Sequence, residues 1–122
     1  VWNRELRIAC ALALLLIAIP AWAQFETARL TGFVLDKSGA VVANAQIKVS
    51  NPATNTEINS VSKDDGAFEI PGLKPGRYKV EVRKEGFRTV TQEITLQVAQ
   101  VADVTFELEP GNVSESITVT SE

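Results

Sequence analysis

The chain has 122 residues, with 12 Lys and Arg against 15 Asp and Glu, one cysteine and no histidine. Its net charge of −3 is spread along the sequence, which excludes the basic patch that nucleic-acid binding needs. Without histidine the usual general base and the commonest zinc ligand are missing, and a single cysteine closes no intrachain disulfide.

The first predicted element is an export signal and stands apart from the fold. Arg4 and Arg7 give a positive start, Ile8 to Ile19 is uncharged and almost wholly apolar, and Pro20 breaks the run. Ala21-Trp22-Ala23 then puts small residues at the two positions a signal peptidase reads. Residues 1–23 are therefore expected to be a signal-peptide helix, cleaved between Ala23 and Gln24. The alternative is a retained anchor, but the 16 uncharged residues from Ile8 to Ala23 fall short of the ~18–20 a spanning helix needs. Cys10 lies inside this run and lacks the small-residue box of a lipoprotein signal. From Gln24 onward there is no cysteine, and loss of Arg4, Arg7 and Glu5 takes the net charge from −3 to −4. That length supports one packed core.

Strand signals follow in quick succession. Arg29 to Asp36 places Leu30, Gly32 and Val34 on one face and Phe33 and Leu35 on the other, ahead of a turn at Lys37-Ser38-Gly39. Ala45 to Asn51 alternates cleanly, with Ala45, Ile47 and Val49 inward. Pro52-Ala53-Thr54-Asn55 reads as a polar loop. Glu57 to Ser62 is marked only by Ile58 and Val61, whose spacing suggests an edge or a bulge. Lys63-Asp64-Asp65-Gly66 predicts a hairpin turn, because Asp-Gly tolerates a positive backbone angle. Phe68 and Ile70 mark the next strand, and Pro71 to Gly76 a double corner with Leu73 beneath it. Arg77 to Lys84 has the sharpest alternation, Tyr78, Val80 and Val82 against Arg77, Lys79, Glu81 and Arg83. After Gly86-Phe87 a sixth strand carries Ile94, Leu96 and Val98, and a seventh, Val101 to Glu109, buries Ala102, Val104, Phe106 and Leu108. No stretch beyond residue 24 repeats at helical spacing. The expected fold is all-β, a seven-stranded Greek-key β-sandwich over residues 24–109.

Glu109-Pro110-Gly111-Asn112 ends that domain. Residues 110–122 form a polar, β-prone linker or tail with Val113, Ile117 and Val119 at odd positions, and the break after Glu122 looks like an interruption.

On these residues the chain resembles the carboxypeptidase regulatory-like domain family, whose members share a transthyretin-like sandwich. The resemblance covers roughly Ala28 to Leu108. It is carried by Gly32-Phe33-Val34 with Asp36, Ser38-Gly39-Ala40-Val41-Val42, Ala45-Gln46-Ile47, Asp65-Gly66-Ala67-Phe68, Leu73-Lys74-Pro75-Gly76-Arg77-Tyr78 and Gly86-Phe87. Ala43-Asn44 stands where the family often has Pro-Gly, which implies a softer corner. With a signal before it and Val113 to Thr120 after it, the chain is similar to the N-terminal extension of a TonB-dependent outer-membrane receptor. The resemblance implies an exported protein of a Gram-negative periplasm or outer membrane, continued by a plug and a barrel. Glu115-Ser116-Ile117-Thr118-Val119-Thr120 is similar to a TonB box, implying a strand that adds to the sheet edge of periplasmic TonB. The plainer reading of the same residues is a final edge strand or a linker.

Other chemistry finds little support. Asp64 and Asp65 are the one adjacent carboxylate pair, but they sit in an exposed turn, and neither a calcium ligand ladder nor its closing glutamate is present. No catalytic, cofactor or metal residue is expected, and no enzymatic activity. The rival class is a free-standing secreted module that binds carbohydrate or protein. Sugar platforms use exposed aromatics, and only Phe33 and Phe87 fall on phases that allow exposure. An intramolecular Lys–Asn crosslink, known in related surface sandwiches, needs a core-facing lysine, and the lysines lie mostly on polar phases.

Overall fold

The computed structural model describes residues 3–16 and 26–120. Helix α1 spans Arg4–Leu16. The predicted cleavage point between Ala23 and Gln24 lies outside the described residues. Among those described, no helix is long and apolar enough to cross a membrane.

Eight strands follow: β1 Ala28–Asp36, β2 Gln46–Asn51, β3 Thr56–Val61, β4 Ala67–Leu73, β5 Gly76–Arg83, β6 Thr89–Leu96, β7 Val101–Leu108 and β8 Ser116–Thr120. They form a three-stranded sheet in the order β4-β1-β7 and a five-stranded sheet in the order β3-β2-β5-β6-β8. The fold is the all-β sandwich expected from sequence. It has one strand more than the seven counted there, because the tail contributes β8.

Alternation sets which side chains meet between the sheets. β1 and β7 run parallel in continuous register from Arg29↔Val101 to Asp36↔Leu108, so Leu30, Gly32 and Val34 lie beside Ala102, Val104 and Phe106. Facing them are Ile47 and Val49 from β2, Tyr78, Val80 and Val82 from β5, and Val90, Ile94 and Leu96 from β6, all buried. Phe68 and Phe106 meet with ring centroids 6.0 Å apart. Gly32 makes that contact possible. A Cβ there would stand 1.8 Å from the Val104 carbonyl oxygen and 2.9 Å from the Phe68 ring.

Several local expectations change in the structure. Lys63 to Ala67 is the tight turn predicted, with Gly66 at φ 77° and the Lys63 N–H donating to the Ala67 carbonyl. It closes no hairpin, however, since β3 and β4 belong to different sheets. The true hairpins are β2–β3 and β5–β6. Val98 is 63% exposed, because β6 ends at Leu96 and the chain turns there, with Ala99 at φ 57°. β7 buries Phe106 and Leu108 fully but Ala102 and Val104 only in part. The corner at Ala43-Asn44 is as tight as glycine would make it: Asn44 takes φ 57°, a left-handed conformation open to asparagine. Its N–H donates to the Ser62 carbonyl, while the buried Ser62 hydroxyl donates to the Val42 carbonyl and accepts from the Ala45 N–H.

The turn after β1 is organised by Asp36. Its Oδ1 accepts from the Ser38 hydroxyl and from the backbone N–H groups of Ser38 and Ala40. These bonds, that of the Ser38 hydroxyl first, hold the carboxyl below its ordinary value of 3.8. A carboxylate whose pKa is depressed on folding contributes stability above its unfolded pKa, and that contribution disappears as pH falls through the folded value. The difference in unfolding free energy between the wild type and Asp36→Asn should therefore be level at neutral pH and change as pH falls toward 3.8 and below, where the unfolded carboxyl protonates first. Urea titrations across pH 2 to 7 read this directly; a difference already varying at neutral pH would contradict it. Gly32→Ala should lower stability by about 1–3 kcal/mol, since the new methyl forces β7 or Phe68 aside. A urea midpoint equal to the wild type would show that β1 and β7 are not so closely apposed.

Candidate functional site

The residues singled out as a docking segment, Glu115 to Thr120, lie at the end of the five-stranded sheet. Ser116–Thr120 is β8, paired in parallel with β6 from Thr89↔Ser116 to Glu93↔Thr120. Glu115 immediately precedes the strand, and its carbonyl accepts from the Thr89 N–H at 2.8 Å. Ile117 is half-buried, while Ser116, Thr118 and Val119 are exposed. The edge-strand reading of the tail describes this placement.

A clasp at the start of β8 holds the segment there, and sequence alone gave no sign of it. Its centre is Arg88, one residue before β6. The Arg88 Nε lies 2.7 Å from a Glu115 carboxylate oxygen, a close ion pair whose buried N–H is not aligned for a hydrogen bond. The Arg88 Nη1 stands 3.6 Å from Glu109, which Lys37 approaches on its other oxygen at 3.6 Å. The backbone reinforces the pairing. Arg88 N–H donates to the Glu109 carbonyl and Gly111 N–H to the Gly86 carbonyl. The Thr89 hydroxyl donates to the Val113 carbonyl at 2.7 Å, and Glu115 N–H closes a turn on Asn112. Gly111 lets the arginine lie flat across the turn, because a Cβ would stand 2.5 Å from Arg88 Cγ. Residues 109–115 are thus a bonded turn.

The other candidates remain apart from one another. Asp64 and Asp65 are exposed, and Asp65 Oδ1 accepts from the Ala67 N–H as a turn residue does. Among the described residues no three His, Cys, Asp or Glu side chains gather where they could hold a metal ion. No lysine is buried. Of the described aromatics only Phe33 is exposed, at 44%; Phe87 packs against the core. A shallow groove of about 540 Å³ between β6 and β7 is lined by Gln92, Ile94, Gln97, Gln100 and Asp103 among others, with no aromatic. Among the described residues the sheets leave backbone open at their edges.

Comparison with known proteins fits this picture. The family model of the carboxypeptidase regulatory-like domain matches residues 29–109. The chain belongs to that family. Comparison with curated proteins gives no match. Among solved structures it is similar to the TIE protein of Bacillus anthracis, with 23% identity and a TM-score of 0.59 over 67% of this chain and 16% of that one. It is also similar to hydroxyquinol 1,2-dioxygenase of Pseudomonas putida, at 15% identity and a TM-score of 0.61 over 75% of this chain and 59% of the other. A third is a group B streptococcus pilus 2b backbone protein, at 20% and 0.58, covering 70% and 42%. Each alignment spans less than two thirds of the other protein, and at these identities the likeness is one of fold. The family match ends at residue 109, so β8 lies beyond it, while Arg88, Thr89 and Glu109 of the clasp lie within it.

If Arg88 is the centre of the clasp, Arg88→Ala should leave the sandwich folded but raise amide hydrogen exchange at Ile117 and Val119 at least tenfold. Unchanged protection at both positions would assign β8 to backbone pairing alone.

Proposed function

We propose that this chain is a non-enzymatic docking or spacing module of the cell envelope, the N-terminal part of a TonB-dependent outer-membrane receptor. In this reading it is exported by residues 1–23 and stands on the periplasmic side of the outer membrane. Residues 113–120 dock a periplasmic TonB partner ahead of a plug and barrel. The observation that carries it is the position of Glu115 to Thr120: a few residues after the family domain, uncharged from Ser116 to Thr120 and lying at an open sheet edge. Strand addition asks for that, since backbone bonds supply affinity and alternate side chains supply selectivity. The lack of histidine and the carboxylates spent in turns support a role without turnover. The rival reading, a free glycan-binding module, has only Phe33 among the described aromatics to offer a sugar ring.

Titration of the chain with the purified C-terminal domain of TonB, followed by backbone NMR, tests the docking. Shifts should be confined to residues 113–120 and to β6 beside them. No shift at millimolar partner would remove the docking role.

A further inference from the structure

The two sheets end in four edge strands, β4 and β7 in one and β3 and β8 in the other. Open edges carry unpaired N–H and C=O groups, and proteins blunt them, among other means, with charge or proline. Three of the four are blunted. β3 carries Glu57, ion-paired with Lys48; β4 carries Glu69, ion-paired with Arg29, and then Pro71 and Gly72; β7 carries Asp103 and Glu107. β8 has none of these. Ser116-Ile117-Thr118-Val119-Thr120 contains no charge, no proline and no glycine.

The parallel register fixes which of its backbone groups are free. Thr89 N–H bonds the Glu115 carbonyl, and with Thr89 opposite Ser116 the ladder turns the backbone of Ile117 and Val119 toward β6. The N–H and C=O groups of Ser116 and Thr118 therefore face outward. The Arg88 clasp anchors the start of the strand, so this edge is presented already formed.

We propose that the β8 edge is a strand-addition site whose occupant is β8 of a second copy of this chain, antiparallel, with the two-fold axis at Thr118. This inference stands independently of any TonB partner. Pairing about Thr118 sets Thr118 against its own copy, Ser116 against Thr120 and Ile117 against Val119. The outward groups of Thr118 and Ser116 are then those that antiparallel partners share. Ile117 meets Val119, and no like charges stand opposite within the paired strands, because Ser116–Thr120 carries no charge. Val119, 43% exposed, and the half-buried Ile117 gain cover. The interface is isologous and joins two five-stranded sheets into one. Two five-residue strands bury less than the ~1,200 Å² of a stable complex, so the association is reversible and concentration-dependent.

The test is sedimentation equilibrium and amide exchange on the full chain across a concentration series. The wild type should self-associate, with Ser116 and Thr118 amides increasingly protected as concentration rises. Thr118→Pro removes an outward donor and none of the bonds to β6. It should raise the dissociation constant at least tenfold while Ile117 and Val119 stay protected. Should the proline itself unseat β8, Thr118→Lys keeps the strand and sets two like charges at the axis, with the same expected loss. A wild type that is monomeric with unprotected Ser116 and Thr118 up to millimolar concentration overturns the proposal. So does association that neither variant weakens. Spectra that ignore dilution and move only when the TonB domain is added give the edge to that partner and overturn the second copy as its occupant.

Discussion

The parallel pairing of β1 with β7 is the constraint on which the rest of the sandwich depends. β1 is the middle strand of its sheet, so β4 and β7 are held together only through it. Along that seam the side chain at position 32 must be absent, or the Val104 carbonyl and the Phe68 ring could not both approach. Phe68 lies over Gly32 and meets Phe106, and both rings belong to the same buried core as Tyr78, Val80 and Val82 of the opposite sheet. The pairing joins the first strand of the domain to the last one the family model covers, so it forms only when most of the chain is in place. Such non-local closure makes folding slow relative to a helical domain of this size. With no disulfide available, it also makes the core the principal source of stability.

The chain passes between sheets at every connection except the two hairpins, and this accounts for the corners. Ser62 serves the passage on one side, its hydroxyl bonding Val42 and Ala45 where the backbone cannot bond itself. Asp36 serves the other, gathering the Ser38 and Ala40 N–H groups around one carboxylate oxygen. The surface ion pairs, Arg77 with Glu93 or Arg83 with Glu81, are solvated and add little. The Arg88 cluster differs because its Nε is buried and four backbone bonds share the geometry.

Much of this was legible in the residues. Alternation in β2 and β5 named the inward side chains correctly, and Leu73 is buried as expected, though as the last residue of β4 and not beneath a corner starting at Pro71. Alternation failed where it ran past the end of a strand, as at Val98, because periodicity records side-chain phase and not the bonds that stop a strand. Asp65-Gly66 announced the turn but not its destination, since a tight turn needs a positive φ whether the next strand lies in the same sheet or the other. The β1–β7 pairing was invisible, because parallel partners far apart in sequence share no local signal. Arg88 was equally hidden. Nothing separates it from neighbouring surface charges until Gly111 and Glu115 are folded back onto it. β8 was half legible: its β-prone, alternating residues fitted a strand, but which edge it joins is written in β6.

That division bears on where function sits. Within the sandwich Phe68, Tyr78 and Phe106 are buried, three edges carry charge, and Asp36 and Asp65 are bonded within turns. A domain built this way offers no side-chain constellation for chemistry among its described residues, and its groove is shallow and polar. The segment beyond residue 109 departs from that economy. It adds a strand with no charge or proline along its edge, and a half-buried arginine, its Nε out of solvent, holds it in register at one end. A passive linker would have no use for either feature: without the clasp it would fray, and with a lysine at position 118 it would stay solitary. Their combination keeps an edge both ordered and open, which is the physical requirement for recognition by backbone. A strand added to this edge would bond the outward backbone groups of Ser116 and Thr118.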